Sequence, residues 1–176
     1  MNGDTSENRI LSELSYDAQA GALRYQGVRY LLIRPETLAA VQASLEAQLG
    51  PALAGEILFQ GGFTGGRLSG QKYKDSFGLS DEQAVLFMCR MGSEIGWGRI
   101  SLAEFDLGRK RMVVEVQHSP FAEAYGRGSR EGVCHLIRGV FAGLASTLFG
   151  APVRAVEAIC LAAGQAQCRF EIEAEA

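Results

Sequence analysis

Residues 132–173 read GVCHLIRGVFAGLASTLFGAPVRAVEAICLAAGQAQCRFEIE, and this run decides the class of fold. From Gly132 to Gly150 the apolar residues Leu136, Val140, Phe141, Leu144 and Leu148 recur at helical spacing, which predicts the longest helix of the chain. Within it, Gly139 and Gly143 stand one turn apart and leave a groove for a neighbouring element. Val153–Leu161 and Gln167–Glu173 then read as a closing hairpin turning about Gly164.

The hairpin arithmetic has a chemical consequence. Cys160 and Cys168 each lie four residues from Gly164, so they would face each other across two strands with Cβ atoms about 4.5–5.5 Å apart. Such a pair can share a metal ion, with zinc–sulfur bonds of about 2.3 Å. Cys134 would add a third thiolate if the first turn of the long helix packs over the hairpin. Glu157 is a candidate fourth ligand, but in a regular strand it and Cys160 point to opposite faces. Both reach one ion only if the strand bulges near Ala158-Ile159; otherwise water or His135 takes the fourth place. Thiolates favour zinc over magnesium or calcium. Two competing readings stay open on chemistry alone: three inert buried cysteines, or a disulfide.

Upstream, the pattern supports an α+β domain with an antiparallel sheet against a helical layer rather than alternating βαβ units. Arg111–Gln117 alternates Met112, Val114 and Val116 on one face and pairs with a strand around Ile100–Phe105. Ser80-Asp81-Glu82-Gln83 is a capping box that launches a helix through Val85, Leu86, Cys89 and Arg90. Pro35 opens a helix that Gly50-Pro51 stops. The next helix is weakened by Gly61-Gly62 and Gly65-Gly66. The spacing from Gly65 to Gly70 suits a phosphate loop, yet Gln71 replaces the loop lysine, so these glycines are assigned to close helix packing. Leu14 to Ile33 reads as a strand pair, with Val28, Tyr30 and Leu32 alternating. Residues 1–13 read as a tail and 14–176 as one domain.

Composition narrows the function classes. The 176 residues are 47% hydrophobic and 21% charged, an ordinary globular balance. A net charge of −3 without a basic stripe argues against nucleic acid. No run of eighteen apolar residues predicts a membrane span. The polar start MNGDTSENRI has no export pattern, so the expected compartment is the cytoplasm, where cysteines serve metals before disulfides. A ligand cavity is expected between the glycine-interrupted helices and the sheet. Its candidate lining is Trp97, Phe105, Phe121 and Tyr125, with Trp97, between Gly96 and Gly98, the strongest. Cys89 reads as a core cysteine, and Arg90 and Arg138 as solvated cations able to pair with a ligand carboxylate.

The run from Gly132 to Ile172 resembles the C-terminal signature of the 4-vinyl reductase domain: a Cys-led glycine helix, Glu-x-x-Cys, a glycine turn, and a closing Cys before an aromatic strand residue. VQHSPFAEAYG (116–126) resembles the segment leading into that helix, and GVRYLLIRPETL (27–38) also has the family's look. The resemblance implies a TRAPP-like fold, shared with nitric-oxide-signalling domains, and a structural zinc on Cys134, Glu157, Cys160 and Cys168. It implies a sensor or carrier of a hydrophobic, aromatic or tetrapyrrole-like molecule, acting as a homodimer and through a downstream protein partner. Two alternatives accompany it: an enzyme or accessory of chlorophyll-type 4-vinyl reduction, and a dimeric assembly scaffold. Four protein ligands on zinc leave no open position for catalysis, and no nicotinamide or flavin motif is present. The family's phenol sensors read the hydroxyl with a pocket His and Trp, and this chain offers only His118 and His135.

Overall fold

The computed structural model describes residues 8–175. Its main sheet is built from β4 (Arg99–Asp106), β5 (Arg111–Gln117), β6 (Val153–Ile159) and β7 (Cys168–Ala174), in the order β4-β5-β7-β6, all antiparallel. Alternation along the two central strands sets its inner face. Met112, Val114 and Val116 pair with Ile172, Phe170 and Cys168, and all six side chains are buried. Cys168 is thus the last member of an inward-facing column. On the outer face Arg111 pairs with Glu104, Glu171 and Glu173, and Arg169 with Glu115 and Glu171.

Helix α6 (His135–Phe149) lies on the inner face, with Ile137, Phe141 and Leu144 buried against it. Helix α3 (Pro51–Asp75) packs along α6 through glycines on both sides. A Cβ at Gly62 or Gly66 would overlap the carbonyls of Leu136 or Val140, and one at Gly139 or Gly143 those of Phe59 or Phe63. The sequence reading of these residues as packing glycines is borne out. The expected weakness is not: α3 runs unbroken for 25 residues and is longer than the 15 of α6. Close backbone approach supplies contacts along the whole shared length, which outweighs the helix cost of about 1 kcal/mol per glycine.

Helix α4 (Asp81–Glu94) starts at the expected capping box and lies beside β4, while α5 (Pro120–Tyr125) is a short turn of helix capped by Ser119. The N-terminal region departs from the sequence reading. Residues 9–13, expected as tail, form helix α1 (Arg9–Glu13). Ile10 is buried, its N–H donates to Glu94 Oε2 at 2.7 Å, and Asn8 Nδ2 donates to the Glu94 carbonyl at 2.7 Å. Five residues are too few to show a period, so only docking on α4 defines this helix. The remainder of the expected tail, residues 1–7, lies outside the described residues. The expected strand pair is a three-stranded sheet of β1 (Ser15–Asp17), β2 (Ala22–Tyr25) and β3 (Val28–Tyr30). Leu31, Leu32 and Ile33 leave the strand and are 82%, 78% and 54% exposed before α2 (Pro35–Leu49) begins. No helix among the described residues is long and apolar enough to cross a membrane.

Candidate metal centre and ligand cavity

The register slips between Glu157 and Ile159: Glu157 pairs with Phe170, while Ile159 pairs with the very next residue, Arg169. This is a bulge at Ala158, and it removes the conflict of faces between Glu157 and Cys160. Beyond it, Cys160 enters a 3-10 turn over Leu161–Ala163 that Gly164 closes with a φ of +85°. Cys160 and Cys168 therefore stand opposite each other, their sulfurs 4.0 Å apart. Cys134 caps α6 and brings its Sγ to 3.7 Å from that of Cys168.

Cys134, Glu157, Cys160 and Cys168 place one ligand atom each within 4.8 Å of all the others. Four donors about 2.3 Å from a central zinc would lie about 3.8 Å apart along the edges of a tetrahedron, which is close to the observed sulfur spacing. Glu157 Oε2 accepts the Cys134 N–H at 2.8 Å, while its Oε1 is buried with no hydrogen-bond partner. A buried carboxylate oxygen without a partner is costly, and a cation would satisfy it. The electrostatics agree. Burial, then the hydrogen bond with Cys160, pushes the Glu157 carboxyl up to about 8. The Cys160 thiol is pulled down by hydrogen bonds from Cys134 and Cys168, whereas that of Cys134 is raised by the same bonds and by burial. Four acidic groups in a dry pocket cannot all ionise alone, and a divalent cation lets them do so. The residues fit a metal ion.

Around the cluster, Leu161 N–H donates to Cys168 Sγ at 3.4 Å, and the buried Ser119 hydroxyl lies 3.6 Å from Cys134 Sγ. Such donors orient thiolates and temper their charge. Ser119 escaped the sequence reading, although Ser119-Pro120 is a readable helix start. His135 is not in the cluster; its ring packs against Gly55. Cys89 is buried apart from it, in the core, with burial pushing its thiol up to about 12.

Enclosed by α3, α4, α6 and β4 is an apolar cavity of about 140 Å³, lined by Tyr73, Met88, Met91, Trp97, Ile100 and Phe141 among others. It lies where the sequence placed it, between the glycine helices and the sheet. Trp97 also borders an apolar groove of about 430 Å³ under β3 and α1, and there Phe121 meets it edge to face at 5.3 Å. The structure thus brings Trp97 and Phe121 together and leaves the other two candidates apart. Phe105 stacks on Phe149, and Tyr125 donates its hydroxyl to Glu46 beside shallow surface depressions. Arg90 pairs with Glu94 and covers Phe87, Arg138 covers Phe59, and neither lines the cavity. His118 is exposed beside Glu123. The sequence missed Tyr73, Met88, Met91 and Phe141, since a cavity wall and a core residue have the same apolar pattern.

Comparison with known proteins agrees with this arrangement. Over 94% of this chain and 86% of the other, the fold matches the phenol-responsive sensory domain of the transcription activator PoxR, solved with phenol (TM-score 0.82, 19% identity). A trafficking protein particle complex subunit 3 from Naegleria fowleri, covalently bound to palmitic acid, matches over 81% of this chain and 95% of its own (TM-score 0.57, 14% identity). A vinyl-4-reductase family protein from Methanocaldococcus jannaschii matches over 68% of each chain (TM-score 0.51, 17% identity). These likenesses establish the fold. No curated protein matches the sequence significantly. Residues 112–174 match the vinyl-4-reductase domain, and residues 10–107, more than half of the chain, match the family described as activator of aromatic catabolism; the chain belongs to that family, with a vinyl-4-reductase domain as its C-terminal part.

Proposed function

We propose that this chain is a sensor domain for a small aromatic molecule, braced by one structural zinc on Cys134, Glu157, Cys160 and Cys168. The observation that carries the sensing role is the enclosed 140 Å³ cavity. Apolar cavities of about 150 Å³ accept one benzene-sized ring, so the volume favours a monocyclic ligand over a tetrapyrrole. The PoxR sensory domain of similar fold was solved with phenol. Neither histidine lines this cavity, so a ligand hydroxyl would meet different partners. Tyr73 is the nearest to hand: its hydroxyl has the Met88 thioether at 3.8 Å, a weak acceptor that a ligand oxygen would replace.

Zinc in this reading holds α6 to the β6–β7 hairpin and leaves no coordination position for substrate, which speaks against 4-vinyl reduction here. The exposed run Leu31-Leu32-Ile33 borders the 430 Å³ groove, and an apolar edge of this kind beside an apolar groove favours pairing with a second copy. The dimer would carry the signal to a partner protein. Calorimetric titration of the zinc-loaded protein with phenol, toluene and a porphyrin tests the sensing role. Saturable binding of a one-ring compound is expected. Binding of the porphyrin alone, or of none of them, would overturn it.

A further inference from the structure

A second pocket of about 220 Å³ opens beside the ring cavity, on the far side of Tyr73. Its walls are aromatic. Tyr73 meets Phe87 edge to face at 4.8 Å and stacks on Phe77 at 5.8 Å, Phe77 meets Phe87 at 5.7 Å, and Tyr25 and Tyr30 complete the enclosure. One charged residue lines it, Lys72, and no carboxylate does. Two residues on, Lys74 is neutralised by Asp81 at 2.7 Å, whereas Lys72 forms no ion pair among the described residues. Flat apolar walls with one unneutralised ammonium at half exposure select a ring that carries a negative charge.

We propose that this pocket is a separate binding site for an aromatic carboxylate. The ring would lie between Tyr30, Tyr73 and Phe87, with its carboxylate on the Lys72 ammonium. Tyr30, Ser69 and Tyr73 line both this pocket and the ring cavity, so those side chains alone separate the two occupants. A ligand here would press on the same Tyr73 that borders the sensing cavity. The site itself does not depend on what the neighbouring cavity binds.

The probe is benzoate, titrated into the full zinc-loaded chain at low ionic strength, with neutral benzyl alcohol as its control. Benzoate is expected to bind, and Lys72→Gln to weaken it about five- to tenfold, the scale of one partly exposed charged hydrogen bond. That difference should shrink in about 0.5 M salt, while benzyl alcohol is indifferent to the substitution. Saturating toluene should leave benzoate bound. Displacement of benzoate by toluene would place it in the ring cavity and overturn the proposal. So would equal benzoate affinity in Lys72→Gln, for then Lys72 merely offsets the carbonyl end of α3. Because benzoate binding is measured without toluene, failure of the ring cavity to bind anything would not alter the outcome for this site. Should Lys72→Gln fold poorly, Lys72→Arg, which keeps the charge, must retain benzoate binding; its loss there would also sink the idea.

Discussion

Gly132 is pressed against Glu157: a Cβ on Gly132 would lie 2.5 Å from Glu157 Oε2 and 2.8 Å from its Cβ. Just there, Oε2 holds the Cys134 N–H while Oε1 is left for a cation. Gly132→Ala should therefore push the carboxylate off its seat. Metal affinity is expected to fall by about 10- to 100-fold, the usual cost of disturbing a ligand's support. A chelator competition assay with a zinc dye reads this directly. Wild-type affinity in the variant would remove Glu157 from the ligand set.

Cys160→Ser takes away one of three sulfur donors. Purified protein should lose its zinc, measured by elemental analysis, and roughly 4 kcal/mol of stability. For a domain of this size that lowers the thermal midpoint by about 10 °C. An unchanged metal content would mean that the cluster is only a buried trio of thiols.

Two neighbouring glycines of α3 should respond in opposite ways. Gly66→Ala drives a methyl group into the Val140 carbonyl, backbone that has no rotamer to yield, and about 3 kcal/mol of destabilisation is expected. Gly61→Ala meets nothing within 4 Å on an exposed face and should stabilise by about 0.5–1 kcal/mol. Chemical denaturation of both variants checks the pair; equal effects would refute the packing account.

Burial holds the Cys89 thiol at about 12, above its ordinary 9.0. The folded state thus keeps a proton that the unfolded state gives up, so this group's stability contribution is whole below about pH 9 and fades as pH climbs toward 12. The expected slope is about 1.4 kcal/mol per pH unit in that window. Comparing wild type with Cys89→Ala across roughly pH 8–11 isolates it, because burial raises Tyr73 in the same direction in both proteins. At about pH 8, iodoacetamide should leave Cys89 unlabelled until the chain unfolds.

Replacing Leu31 and Leu32 together by Glu puts two charges on the exposed apolar edge. Light scattering after gel filtration should show a dimer for the wild type and a monomer for the variant, with the circular dichroism spectrum unchanged. A wild-type monomer would dispose of the proposed pairing.

Much of the site was legible because local chemistry marks it. Gly164 turns the hairpin, Cys160 and Cys168 are spaced symmetrically about it, and Ser80 with Gln83 caps α4 as their types require. The strand Arg111–Gln117 was also readable, since one face of it is buried and the alternation is clean. The N-terminal elements were not. Helix α1 and the three short strands owe their form to docking on α4 and to one another, and segments of three to five residues hold too little pattern to announce it.

By itself the sequence determined the antiparallel hairpin, the glycine-faced helices and the donor types that favour zinc, because each depends on residues close together in the chain. Only the tertiary structure decided that Glu157 and Cys160 share a point, since a one-residue bulge at Ala158 changes the direction of a side chain without changing composition. It also decided which aromatics meet. Trp97 and Phe121 converge while Phe105 and Tyr125 go elsewhere, for aromatic residues pack with whatever the fold brings within reach, and that is a property of the whole chain.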